Sequence, residues 1–157
     1  MAERATSVQK VTQHLRILFR AVQAHSKFVE KTCGLSSAKL WMLYEIYTNP
    51  GLKVSQLAAA LTIHPSTCSN MLDKLEAKNL LVRDRSKTDQ RAVHLFLTGE
   101  GEKLLAQAPQ PVQGELSRAL DKLPAEQLFQ LENGLDGLVH TLKRKDDNAG
   151  MVPIPSE

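Results

Sequence analysis

Apolar residues near the amino terminus recur at spacings of three and four, the period of an amphipathic helix. They are Val8, Val11, Leu15, Leu18, Phe19 and Val22. The pattern predicts a helix from about Ala5 to Lys31, ended by Gly34. A second helix, capped by Ser36 or Ser37, is predicted by the apolar positions that follow and ends at residues 49–51, Asn-Pro-Gly.

Two shorter helices come next. One runs from Ser55 to Leu61, with Ser55 able to cap it. The other has Pro65 in its first turn and continues to about Lys78, where Asn79 can adopt a left-handed conformation. The helix that begins at Pro65 has one apolar stripe, which is expected to face the core and consists of Cys68, Met71, Leu72 and Leu75.

After residue 80 the period changes. Leu81-Val82 leads into a charged run over residues 83–91, after which Val93, Leu95 and Leu97 alternate with other side chains. This pattern predicts a β-hairpin with a charged tip. Helical pattern returns at residue 98, is broken by Pro109 and Pro111, and resumes towards a last helix that begins near Pro124. The fold class is therefore mainly α with one small β-hairpin.

The composition narrows the class of protein. The chain has 157 residues, 42% of them hydrophobic and 24% charged, as in an ordinary globular domain. It has neither an apolar run long enough for a membrane span nor an apolar amino-terminal signal, so we expect a cytoplasmic protein without membrane contact. No phosphate-binding loop, metal-ligand cluster or nucleophile motif is present, which argues against an enzyme and implies no cofactor and no metal.

The positive charge lies in the middle of the chain. The net charge is +3, and residues 53–98 alone hold seven Lys or Arg against four acids, so the rest is balanced. The helix that begins at Pro65 exposes short hydrogen-bonding side chains followed by Lys74, a surface that suits the major groove of DNA. In the hairpin, Arg83, Arg85, Lys87 and Arg91 suit phosphates or the minor groove, and Asp89 is placed to orient Arg91.

Residues 35–105 resemble the MarR family of transcription regulators. The most specific part is Asp89-x-Arg91 followed by Leu95-x-Leu97-Thr98-x-x-Gly101, which is similar to the family's wing signature. The resemblance implies a winged helix-turn-helix that binds double-stranded DNA. By position it implies these DNA contacts: Ser66, Thr67, Ser69, Asn70, Lys74, Arg83, Arg85, Lys87, Asp89 and Arg91. Asn70 stands where many relatives carry Arg, so the base or phosphate read there is expected to differ.

The resemblance also implies a domain organisation and a homodimer. Residues 1–34 and 99–145 are expected to be dimerisation helices and residues 35–98 the winged DNA-binding region. The charged and then Gly- and Pro-containing sequence at the end of the chain predicts that residues 146–157 are a disordered tail. The apolar stripes of the first and last helices agree, because they need a partner to cover them. Repression of a pseudo-palindromic operator is the default mode in this family.

Two sensing hypotheses stay open. Many relatives release DNA when a small aromatic or phenolic ligand binds between the dimer helices and the winged region; the candidates here are His14, Arg16, His25, Trp41 and Tyr44. Each of them is also explained by packing, an interface or solvent exposure. The alternative is a thiol switch at Cys33 or Cys68, although both also fit small buried apolar residues. A winged-helix module that only assembles proteins is a further alternative, disfavoured by the basic hairpin.

Overall fold

A computed structural model of the protein describes residues 1–85, 92–142 and 146–154. It is mainly α-helical with a small antiparallel sheet, as the sequence predicts. The elements are α1 (Ala2–Cys33), α2 (Ser37–Thr48), β1 (Leu52–Lys53), α3 (Val54–Leu61), α4 (Pro65–Ala77), β2 (Leu81–Arg85), β3 (Val93–Leu97), α5 (Gly99–Ala106), α6 (Glu115–Lys122) and α7 (Ala125–Thr141), followed by a 3-10 helix (Asp147–Met151). Within these ranges, no helix is both long enough and apolar enough to cross a bilayer.

The ends of the first helices follow from local chemistry. Gly34 ends α1 in the left-handed conformation, at φ 69°, and its N–H donates to the carbonyl of Glu30. The Ser36 hydroxyl then accepts from the N–H of Lys39 and caps α2. Asn79 adopts φ 58° after α4, as predicted. The prediction that Ser55 caps α3 is wrong.

Helix α3 begins one residue before Ser55, at Val54. The side chain of Gln56 reaches back and accepts from the backbone N–H of Lys53, at 2.9 Å between the two heavy atoms. This bond ties the first turn to the preceding residue in the way that a glutamine three positions into a helix can. Ser55 therefore lies inside the helix instead of at its cap.

The predicted hairpin is present and carries a third strand. Strands β2 and β3 pair from Leu81–Leu97 to Arg85–Val93, and β1 pairs with the other edge of β3 through Leu52 and Leu95. Two residues are too few to show an alternating pattern, which is why the sequence did not predict β1. The pairing anchors the hairpin to the segment before α3.

The core surrounds α2 and the inner face of α4. Leu40, Met42 and Leu43 of α2 are completely buried, so this helix contacts neighbours on several sides. The four residues of the apolar stripe on α4 are also buried, which confirms the predicted inner face. Each fully buried side chain of this size stabilises the fold by roughly 1.5–3 kcal/mol. The outward face of α4 is thereby fixed by what lies beneath it.

Two helices leave their apolar side chains uncovered. From Ala2 to Ala21, every residue of α1 except Thr12 is exposed, and every residue of α7 is exposed. The exposed apolar side chains on the two helices include Val8, Val11, Leu15, Leu18, Phe19, Leu128, Leu131, Leu135, Leu138 and Val139. An apolar surface of this extent on an otherwise packed chain is typical of an interface with another protein.

The segment that follows β3 is joined tightly to the end of α4. The Thr98 hydroxyl donates to the carbonyl of Asn79 at 2.7 Å and accepts from the N–H of Gly101, which caps α5. The N–H of Thr98 donates to the carbonyl of Leu80. A Cβ atom on Gly101 would lie 2.0 Å from that same carbonyl oxygen, so only glycine fits. We call residues 79, 80, 98 and 101 the helix clasp.

The tail departs from the expectation of disorder. Its described part, residues 146–154, contains the 3-10 helix, and the carbonyl of Met151 accepts from the N–H of His64 at 3.0 Å. Val152, Pro153 and Ile154 lie beside α1 and α2 around a shared cavity. The apolar sequence Met-Val-Pro-Ile at residues 151–154 gives this segment surface to bury, a signal that its Gly and Pro content obscured.

We predict that Gly101→Ala destabilises the protein. The added methyl group must push the start of α5 away from Leu80, and overpacking of this kind costs about 1–3 kcal/mol. For a chain of this size the melting temperature should fall by roughly 2–4 °C for each kcal/mol. Gly99→Ala is the matched control, since nothing lies within 4 Å of its Cβ position. Equal melting temperatures for the two variants, at one protein concentration, would show that the clasp is not rigid.

Candidate nucleic-acid interface

The outward face of α4 presents a row of polar side chains. Ser66, Asn70 and Lys74 are exposed and are spaced by four residues, so they lie one above another along the helix. Thr67 and Ser69 are half-buried at the edges of this row. The row combines a hydroxyl, an amide and a cation, groups that can bind base edges and phosphates in a major groove.

Arg83 is engaged by the same helix. Its Nη1 atom lies 2.7 Å from Oδ1 of Asp73, and its Nη2 atom donates to the carbonyl of Ser69 at 3.0 Å. Its Nε atom is 3.5 Å from a carboxylate oxygen of Glu76. Only 25% of its side chain is exposed. The sequence predicts Arg83 as a DNA contact, whereas its contacts in the structure are those of a brace between β2 and α4.

Arg85 differs from Arg83 although the two share one strand. It is exposed at the end of β2, where its partner across the ladder is Val93. Strand β2 therefore carries one cation that contacts α4 and one that is exposed and has no side-chain partner among the described residues. The other predicted wing residues, Lys87, Asp89 and Arg91, lie outside the described residues.

The two cysteines are poor candidates for a thiol switch. Burial raises the pKa of Cys68 to about 11, and the nearby Arg83 opposes this only in part. Burial also raises the pKa of Cys33, which is half-buried. Reactivity needs a thiolate, which a low pKa and an exposed site provide. Neither cysteine has this environment in the described part of the chain.

A cavity of about 230 Å³ lies between two parts of the structure. On one side are α1 and the start of α6, which we call the helical flank, and on the other is the turn that precedes α4. Its walls come from α1, α2, residues 61–63, the start of α6 and the tail. Two of the five predicted effector residues, His25 and Trp41, line it together. His14 and Arg16 are exposed on α1, and Tyr44 packs against the core, so the structure does not bring these three to the cavity.

The cavity is mainly apolar, and His25 in its lining has a buried polar atom. The Nε2 atom of His25 is shielded from solvent and has no hydrogen-bond partner within the described chain. Burial lowers the pKa of His25, although the carboxylate of Glu115 opposes the shift. The imidazole therefore stays neutral at neutral pH and retains one unused hydrogen-bonding position. Trp41 already donates its indole N–H to Glu45, at 3.0 Å.

Several residues of the cavity were not predicted from the sequence. Gly114, at φ 89°, brings the start of α6 against the His25 ring, since a Cβ there would lie 3.1 Å from Cδ2. Val152 and Ile154 belong to the segment expected to be disordered. Glycines in a Pro-rich loop and apolar residues in a tail give no periodic pattern, so their position becomes clear only from the fold.

Helix α4 has a buried apolar face and an exposed polar face, follows the short helix α3 and precedes the paired strands β2 and β3. This arrangement defines a winged helix-turn-helix protein. The MarR family model matches residues 35–93, from the loop before α2 into β3. Two curated relatives support this match. The chain is 30% identical over 116 residues to the HTH-type transcriptional repressor MdtR of Bacillus subtilis (strain 168), covering 74% of this chain and 75% of the relative.

It is 34% identical over 127 residues to a putative transcriptional regulatory protein for the hcr operon of Thauera aromatica, covering 80% and 74% of the two chains. The fold is also that of Streptococcus pneumoniae FabT, solved in complex with DNA: the TM-score is 0.57, the identity 22%, and 85% of this chain and 95% of the other are covered. The chain belongs to the MarR family. It is a DNA-binding transcription regulator and not an enzyme, as the sequence predicts.

We predict that Arg83→Met and Arg85→Met separate a brace from a phosphate contact. Arg83→Met should lower the melting temperature by roughly 2–4 °C, the shift expected for about 1 kcal/mol. It should also weaken DNA binding without changing its salt dependence, since the brace touches no phosphate. Arg85→Met should leave the melting temperature unchanged and reduce the slope of log affinity against log salt by about 1.

Thermal melts and DNA titrations at several salt concentrations measure both quantities. A reduced salt slope for Arg83→Met with an unchanged melting temperature would return Arg83 to the role that the sequence assigns to it.

Proposed function

We propose that the protein is a homodimeric repressor that binds a pseudo-palindromic operator and is released by a small aromatic or phenolic ligand. The proposal of a dimer is supported by the exposed apolar faces of α1 and α7. A second copy of the chain, offering the same two faces, covers them by symmetry. Interfaces of obligate homodimers are large and apolar, as this surface is.

The dimer accounts for the form of the operator. Two α4 helices related by a two-fold axis contact two half-sites about one turn of DNA apart. Within each half-site we assign base recognition to Ser66 and Asn70 and phosphate contact to Lys74, because of their place in the exposed row. Arg85, with Lys87 and Arg91 of the wing, adds contacts to the flanking backbone or minor groove. Repression is supported by the name of the MdtR relative.

The cavity supports ligand release. Trp41 offers an aromatic surface, Val22 and Ala38 are apolar neighbours, and His25 offers one hydrogen-bonding nitrogen. A flat aromatic ring with one hydroxyl or carboxylate fits both features. Because the walls belong to the flank and to the turn before α4, a molecule held there is placed to alter the position of α4 relative to the flank.

Two other functions are less well supported. A thiol-responsive regulator requires a reactive thiolate, and burial raises the pKa of both cysteines. A module that only assembles proteins leaves the exposed polar row of α4 and the exposed Arg85 without a role.

The proposed operator is tested by selection from random duplex DNA. We expect the purified protein to recover a pseudo-palindrome and to bind it as two copies per site. Asn70→Ala should change the preferred bases within each half-site, because each good base contact discriminates by about 1–3 kcal/mol. Lys74→Ala should weaken all sequences alike. If the selection enriches no sequence, the proposal of a specific operator is wrong. If Asn70→Ala weakens the binding of all sequences equally, Asn70 contacts phosphate and not bases.

Dimerisation is tested by the charge variant Leu135→Glu, which places a carboxylate in the exposed apolar face of α7. We expect sedimentation to show a dimer for the parent chain and monomer or unfolded chain for the variant, since an unpaired buried charge is strongly destabilising. Glu132→Gln, an exposed change on the same helix that removes a charge, is the control. A monomeric parent chain would leave the apolar faces to another protein.

A further inference from the structure

The tail makes one contact that directly concerns the DNA-reading element. The carbonyl of Met151 accepts from the N–H of His64, the residue that immediately precedes α4. The N–H groups at this end of a helix are unsatisfied by the helix itself and attract anions such as phosphate. The tail therefore contacts α4 at the end that would approach the DNA backbone.

The same segment also contacts the flank. Gly150 and Val152 to Ile154 line the cavity together with Val22 and His25 of α1. The tail residues of this lining are continuous with Met151, so one stretch of chain links the flank to the start of α4. A link of this kind restricts how far α4 can move relative to the flank.

The charge of the segment adds a second effect. Residues 146–154 contain Asp146 and Asp147 and no basic residue. The Asp146 side chain caps the 3-10 helix by accepting from the N–H of Asn148, so this acidic end is part of the ordered segment. Docking of the tail places this acidic end four residues along the chain from the Met151–His64 contact, and negative charge that approaches a phosphate-binding surface opposes DNA binding.

We propose that residues 146–154 are an autoinhibitory strap that closes one side of the cavity, holds the start of α4 and lowers the affinity for DNA. The proposal rests on the proposed function in one respect: an effector in the cavity packs against the strap and favours the same released state. The strap sets the affinity of the ligand-free protein for DNA, and an effector that packs against it lowers that affinity further.

The direct test is a chain that ends at Lys145, compared with the full chain. Its only Trp residue, Trp41, lines the cavity, so removal of the strap should shift its emission to longer wavelength and increase its quenching by acrylamide. The amide of His64 should lose protection in hydrogen exchange. A synthetic peptide of residues 146–154 added to the shortened chain should reverse both changes.

The functional test uses DNA affinity at fixed salt. The shortened chain should bind the selected operator about 3- to 10-fold more tightly, which corresponds to about 0.7–1.4 kcal/mol. Val152→Asp should act in the same direction, because a carboxylate in the apolar cavity displaces the strap. Asn148→Asp adds the same charge to an exposed position of the same segment and should not increase affinity.

The outcomes separate the strap from the function that it regulates. If the full chain binds no operator, the proposed function fails, and the fluorescence and exchange measurements still report whether the strap docks. If the full chain binds an operator but the shortened chain shows unchanged emission, exchange and affinity, the strap proposal is wrong. A weaker affinity for the shortened chain also overturns it, since the segment would then support the DNA-binding form.

Discussion

The position of the exposed polar face of α4 depends on the helix clasp between the end of α4 and the start of α5. The Thr98 hydroxyl lies between the carbonyl of Asn79 and the N–H of Gly101, and the carbonyl of Leu80 occupies the space where a Cβ of residue 101 would be. Because β3 ends in the helix clasp, the β2–β3 hairpin, α4 and α5 meet at one point. A shift of any one of them displaces the other two.

The inner and outer constraints on α4 are of different kinds. Its inner face is held by burial of apolar side chains, which keeps that face against the core but imposes no specific bond geometry. Its outer edge is held by Arg83, whose planar fork engages both Asp73 and the Ser69 carbonyl and so fixes direction. The guanidinium of Arg83 also pairs with the carboxylates of Asp73 and Glu76, which would otherwise repel phosphate. One arginine therefore both positions the helix and reduces negative charge on the surface beside it.

Much of the fold could be predicted because its local patterns are strong. The period of α1, the stop at Gly34, the cap at Ser36 and the stripe on α4 are all confirmed. What could not be predicted depends on distant partners. Arg83 is a cation in a basic run, and only the fold shows that Asp73 and Glu76 face it. The two-residue β1 and the docked tail also depend on contacts remote in sequence.

The residues that position α4 differ from those that its exposed face presents, and this separation has an evolutionary consequence. Ser66, Asn70 and Lys74 make no hydrogen bond or ion pair through their side chains with the described chain, whereas the opposite face and Arg83 determine where the helix lies. Substitutions in the exposed row can therefore accumulate at little cost in stability. Duplicated copies of such a gene can acquire new operators while the residues that position the helix stay the same.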